Sequence, residues 1–274
     1  MFRDRSRCAL CTVGFVLALS LPSTVMAEPV LFSGSGTNHY DSQNHSLSAT
    51  AEFDTFTDST GTYLKVTLTN TYATRYDAGT SKIVPSDVLT ALFFDVFGNP
   101  QLTLVSALVV DPNRILNPDT GPGDAEAPPT GDITGGWQYK YSASGSLDPD
   151  LTQRQGLGTA GFNVFKGKEV GDVNFGIVNP GYVNGDGNMP IYTNRMIRNA
   201  VVFTLTGISS LFNPKTNISN VRFQYGTGLD EPSFAGEQHP TSGTPEPSTF
   251  VLSSLALIGL VVWRRRIRNP DPSL

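Results

Sequence analysis

Residues able to do chemistry are few and widely spaced in this 274-residue chain. The three histidines are His39, His45 and His239. His39 and His45, with Asp41 between them, offer a transition metal two imidazoles and a carboxylate, one ligand short of the four a structural zinc site takes. A polar segment close to a mature N-terminus explains the same residues as solvated side chains. Asn184-Gly185-Asp186-Gly187-Asn188 places oxygen-bearing side chains at alternate positions, as part of a calcium loop does. The helix-flanked calcium loop ends in a glutamate at its twelfth position, where this chain has Arg195. Asn184, Asp186 and Asn188 therefore stand as metal candidates, calcium being the one cofactor considered, beside a plainer Gly-Asp-Gly turn between strands.

Two carboxylate pairs, Asp148 with Asp150 and Asp230 with Glu231, would serve glycoside chemistry only if the fold sets them across a cleft. Asp148-Pro149-Asp150 reads better as the cap of a turn or helix start. Trp137, Tyr139 and Tyr141 alternate along one run, as a platform for stacking sugars or as the packed face of a strand. Trp137 is the ligand-binding candidate of that group, and core packing is the reading that alternation favours. The chain lacks a Gly-x-Ser-x-Gly elbow, a His-Glu-x-x-His pair and a phosphate-binding glycine loop. No residue is assigned a catalytic role.

The elements that would position these residues are strands. Leu47, Ala49, Ala51 and Phe53 alternate with polar residues, as do Leu64, Val66 and Leu68, and Val221, Phe223 and Tyr225. Period two with one apolar face marks half-buried strands of an antiparallel sheet. The runs Ala91 to Phe97, Leu102 to Val110 and Val201 to Leu205 are more continuously apolar and suit central strands. Pro149 to Gly161 is the one stretch that invites a short helix, against three glycines. Gly98-Asn99-Pro100 and Gly135-Gly136 punctuate the pattern as turns, and 112–136 reads as a surface excursion. The expected fold is all-β, an antiparallel β-sandwich or jelly roll over 28–225. Gly226 to Thr244 trades apolar residues for Gly, Pro, Glu, Ser and Thr and reads as a flexible stalk.

Both ends carry targeting chemistry. Arg3, Arg5 and Arg7 precede the apolar stretch Ala9 to Leu21, and Val25-Met26-Ala27 supplies a small-residue cleavage site, so 1–27 reads as a secretory signal cut after Ala27. Cys8 and Cys11, the two cysteines, leave with it, and the mature chain has no thiol chemistry. Between the ends, residues 28–247 keep 12 of the 19 basic and 22 of the 24 acidic residues, a net charge of about −10. Such a domain is repelled by phosphates, which excludes nucleic acid as an electrostatic partner.

At the other end, Pro245-Glu246-Pro247 precedes the uncharged apolar run 248–263 and the cluster Arg264-Arg265-Arg266-Ile267-Arg268. Sixteen helical residues reach about 24 Å, somewhat short of a hydrocarbon core of about 30 Å, so bilayer thinning or snorkelling arginines must supply the rest. Trp263 suits the interface, and the arginines hold that end in the cytoplasm. Two prolines restrict the backbone around Glu246 to an extended form that a processing enzyme can take into a cleft.

This order of Pro-Glu-Pro, apolar span and arginine cluster over 245–268 resembles the PEP-CTERM sorting signal of bacterial surface proteins. The resemblance implies processing at Pro245, Glu246 and Pro247 by exosortase, a membrane-embedded transpeptidase-like enzyme, with Arg264, Arg265 and Arg266 as the retaining plug. It also implies passage through the secretion machinery of a Gram-negative-type cell and a precursor anchored in the inner membrane. The mature protein would then reside at the cell surface or in an extracellular matrix, alongside exopolysaccharide and biofilm. The segment from Val221 to Pro232 looks like the end of domains in other such proteins. The expected role is a non-catalytic surface or matrix protein. A polysaccharide-binding module, calcium-assisted, is the alternative, with a secreted glycan-active enzyme behind it.

Overall fold

A computed structural model describes residues 27–40, 43–72, 83–110, 115–116, 131–166, 172–182, 187, 191 and 193–239. All fall within one compact unit, Ala27–Thr244. The unit is mostly β and contains two sheets. The first is six-stranded and built from β1 (Val30–Tyr40), β2 (Gln43–Thr57), β3 (Thr62–Asn70), β5 (Thr103–Val109), β11 (Ala200–Thr206) and β14 (Glu237–His239), in the order β14-β1-β2-β3-β11-β5. The second has eight strands. Its path runs β13 (Ser233–Ala235), β12 (Ile218–Tyr225), β4 (Leu89–Val96), β9 (Ile177–Val178), β10 (Met196–Arg198) and β6 (Ile115–Leu116). β7 (Gln138–Tyr141) and β8 (Gln155–Gly158) branch from β4.

The alternating strands behave as their patterns predict. Leu47, Ala49, Ala51 and Phe53 of β2 and Leu64, Val66 and Leu68 of β3 are all buried, and their polar neighbours face outward. They share one core with residues of the second sheet. Phe53 meets Phe94 edge-on at 5.4 Å, and Trp137 meets Phe203 at 4.8 Å. The apolar run of β4 has a physical cause. Leu92, Phe94 and Val96 enter the shared core, whereas Ala91 and Phe93 pack into a second cluster with Leu151, Ala160, Phe162 and Phe165. A strand buried on both faces cannot alternate.

Three expectations are corrected. The run Leu102 to Val110 does not make a central strand. β5 ends the six-stranded path, a register shift opposite Thr204 and Leu205 accommodates Val105, and Val105, Leu108 and Val110 are exposed. The stretch inviting a helix contains β8, paired antiparallel with β4 and β7. Its glycines are what the site demands, because a Cβ at Gly156 would lie 2.6 Å from Phe93 Cδ1 and one at Gly158 would lie 2.3 Å from Phe165 Cε2. The stalk does not begin at Gly226 either. β13 pairs with β12 and β14 pairs with β1, so the folded unit runs through His239.

The turn between β12 and β13 accounts for the residues that hid this. Gln224, fully buried, donates its side-chain amide to the carbonyls of Tyr225, Gly228 and Glu231. The Glu231 carboxylate accepts the Thr227 and Gly228 N–H groups at 2.5 and 2.6 Å. Gly226 turns the chain at φ +76°, with its carbonyl accepting from the Thr90 hydroxyl.

The close approach at β8 sets a test. Gly158→Ala must displace the Phe165 ring, and overpacking of this kind costs about 1–3 kcal/mol. Urea unfolding should show that loss, and Gly145→Ala, at a turn position with open space around it, serves as the contrasting site where backbone strain alone acts.

Candidate functional site

The residues that carry the targeting chemistry, 1–26 and 245–268, lie outside the described residues, as do Asn184, Asp186 and Asn188. Ala27 is the first residue described. Among the described residues no helix is long and apolar enough to cross a membrane, and no group of three His, Cys, Asp or Glu residues could hold a metal ion.

Histidines 39 and 45 do not form a clasp. In the β1–β2 register His39 pairs with Asn44 and His45 with Asn38, so the two imidazoles leave opposite faces of the hairpin. His39 is exposed and hydrogen-bonds Asn44 Oδ1. His45 points inward to Asp87, which lies in the 3-10 turn Pro85–Asp87. The Asp87 carboxylate accepts from His45 Nδ1 at 2.7 Å, Asn38 Nδ2 at 2.7 Å and the Val84 N–H at 3.1 Å. The His45 and Asp87 side chains are 4% and 1% exposed, so three donors hold a carboxylate that is almost closed off from solvent. His239 is not in a stalk; it ends β14 and hydrogen-bonds Ser33 Oγ at 2.7 Å.

The other candidates also resolve into structure. Trp137 is 1% exposed and donates its indole N–H to the Phe175 carbonyl at 3.1 Å. It offers no face to a sugar ring, because the core needs its area more than the surface does. Tyr139 donates its hydroxyl to Gln155 Oε1 and accepts from the Leu102 N–H, and burial pushes that hydroxyl above its usual range. Asp148 caps a turn by accepting the Asp150 N–H at 3.0 Å. The two carboxylates held below their usual range do similar work. The Thr60 hydroxyl lowers Asp58 at the β2–β3 turn, and the Thr134 hydroxyl lowers Asp132 beside β5. Burial lowers Arg222, against the opposing charge of Asp150.

Among the described residues a concave site lies at the C-terminal end of β4. The chain leaves β4 through a tight turn in which the Asn99 N–H donates to the Val96 carbonyl, with positive φ at Gly98 and Asn99. The Phe97 N–H ties this turn to the carbonyl of Asn217, at the end of the four-residue helix Pro214–Asn217. Tyr141 at the end of β7 and Arg154 just before β8 form the opposite wall of a cleft of about 570 Å³. Asp95 is held in it by the Arg154 N–H at 2.8 Å and the Asn220 amide at 2.9 Å. The Arg154 guanidinium donates from Nη2 to the Ala143 carbonyl, and its buried Nε has no partner. Phe97, at the rim, is 79% exposed. Asp95 and Arg154 carried no sequence signal, since they meet only when β4, β7 and β8 pair.

Residues 244–266 match the family model described as the PEP-CTERM protein-sorting motif. No curated protein and no solved structure matches the chain.

The buried pair predicts a stability effect. Asp87→Ala removes the acceptor that His45, Asn38 and the Val84 N–H share, and breaking one side of such a pair costs about 3–5 kcal/mol. In urea unfolding, the double variant Asp87→Ala/His45→Ala should cost clearly less than the sum of the two single variants.

Proposed function

We propose, on the premise that this chain is a PEP-CTERM sorting-domain protein, that it delivers a β-sandwich domain to the cell exterior as a non-catalytic surface or matrix component associated with exopolysaccharide. The sorting motif at residues 244–266 carries the reading. A secretory signal over 1–27 starts export, the apolar run 248–263 and the arginines 264–268 hold the precursor in the inner membrane, and exosortase acts at Pro245–Pro247. The domain's negative charge keeps it soluble outside the cell and away from anionic lipid.

Several of the ionisable residues have structural roles. Asp87 and His45 are closed off from solvent, and Glu231 and Asp148 are committed to turns. The tail also leaves the domain late. Five residues, 240–244, separate β14 from Pro245, a contour of at most about 18 Å, where a stalk from Gly226 would have provided nineteen residues.

Intact mass of the protein from a host with exosortase and from one without it tests this reading. We expect loss of the C-terminal segment near Pro245–Pro247 in the competent host alone, and its retention there when Arg264, Arg265 and Arg266 are replaced by alanine. A full-length tail in both hosts would make the protein an ordinary anchored one.

A further inference from the structure

We propose that the cleft between the turn after β4 and the ends of β7 and the 214–217 helix binds neutral hexopyranose units of a polysaccharide. The inference deepens the exopolysaccharide association proposed above, on which it rests for its biological setting, and is independent of the sorting motif.

The lining has the chemistry of a polyol site. A volume of about 570 Å³ lies within the range of roughly 300–1,000 Å³ typical of small-ligand sites. Its walls present an acceptor-only carboxylate in Asp95, a donor-only guanidinium in Arg154, and the Thr216 and Ser219 hydroxyls, which do both. An apolar ligand would bury these groups without partners, which is unfavourable. A polyol suits them, because each sugar hydroxyl donates once and accepts twice. Asp95 is already oriented by two donors, one to each oxygen, and both oxygens retain lone-pair capacity.

The rings at the rim suit a sugar as well. A pyranose presents apolar C–H faces between its hydroxyls, and these bind to aromatic surface. Phe97 at 79% exposure and Tyr141 both line the cleft, and the Tyr141 hydroxyl makes no hydrogen bond to another described residue. Phe97 is not exposed through looseness of the chain, since its own N–H is fixed to the Asn217 carbonyl at 2.8 Å.

Unmet hydrogen-bonding capacity and charge complete the case. Arg154 Nε is buried without an acceptor, and no carboxylate among the described residues lies within ion-pair distance of the guanidinium. The guanidinium lines the cleft, and its Nη1 donors, which no acceptor among the described residues takes, are the ones a ligand oxygen can reach. Asp95 and Arg154 leave the lining formally neutral, and the domain's net charge of about −10 disfavours uronates and phosphorylated sugars.

The test is calorimetric titration of the full chain in detergent with neutral tetrasaccharides of glucose, galactose and mannose, and with a uronate tetrasaccharide. We expect saturable binding of at least one neutral tetrasaccharide, with a Kd on the order of 0.1 mM. Phe97→Ala and Tyr141→Ala should each weaken it by about 5-fold or more, while Phe56→Ala, at an exposed ring on β2, leaves it unchanged. Phe97 is too exposed for its truncation to unfold the domain, so its effect reads binding alone. Saturation by none of the neutral tetrasaccharides, tighter binding of the uronate, or unchanged binding in either cleft variant would overturn the proposal. Exosortase processing has no part in the titration, so its outcome stands apart from that of the sorting experiment.

Discussion

Phe234 joins the two sheets along one edge, and the boundary of the folded unit depends on it. The residue belongs to β13 in the eight-stranded sheet, where it sits opposite Phe223 with ring centroids 5.9 Å apart and lies 5.4 Å from Tyr225. Its other side fills a notch in β1 of the six-stranded sheet. A Cβ at Gly34 would stand 2.8 Å from the Phe234 ring, and one at Gly36 would stand 2.6 Å from it. Any larger residue at those two inward positions would push the ring out. The alternate glycines of Gly34-Ser35-Gly36 are therefore half of a contact whose other half lies about two hundred residues further on.

Past that contact the chain changes sheets within two residues. Ala235 ends β13, Gly236 makes the crossing, and Glu237 begins β14 against β1. Two polar anchors hold the approach. The buried Gln224 amide and the Glu231 carboxylate satisfy the backbone of the turn that brings Phe234 into place. The domain consequently finishes at its own edge, close in sequence to the segment that targets it. The last strand ends at His239 and the sorting motif begins at residue 244, so the two are close neighbours in the chain.

What could be read from sequence divides along physical lines. Strands with one face in the core, such as β2 and β3, declare themselves by alternation because nothing else competes for their side chains. β4 was legible as a buried strand for the opposite reason, having a cluster against each face. β5 misleads because its apolar residues do not mark burial on both sides. β8 is hidden because Gly156 and Gly158 exist to admit the Phe93 and Phe165 rings, and glycine in isolation reads as a breaker. β13 and β14 are hidden because three residues are too few to show a period, their pairing being set by Phe234 and by long-range partners. The same contrast governs the sites. A linear signal is written in consecutive residues, and the segment 245–268 was legible for that reason, the family model matching 244–266. The cleft draws on β4, β7, the 154 position and the 214–217 helix, so no window of sequence contains it. Trp137 was readable as an aromatic but not as a buried one, since its depth is decided by Phe203 and Phe175 from elsewhere in the chain.

The claim on which the account rests is that residues 226–239 are folded structure rather than stalk. Equilibrium unfolding of Phe234→Ala beside the parent chain tests it most directly. Removing a half-buried phenyl packed between two sheets should lower stability by about 2–4 kcal/mol. A variant as stable as the parent would mean that the chain has left the domain by Gly226, and that the short tether to the sorting signal does not exist.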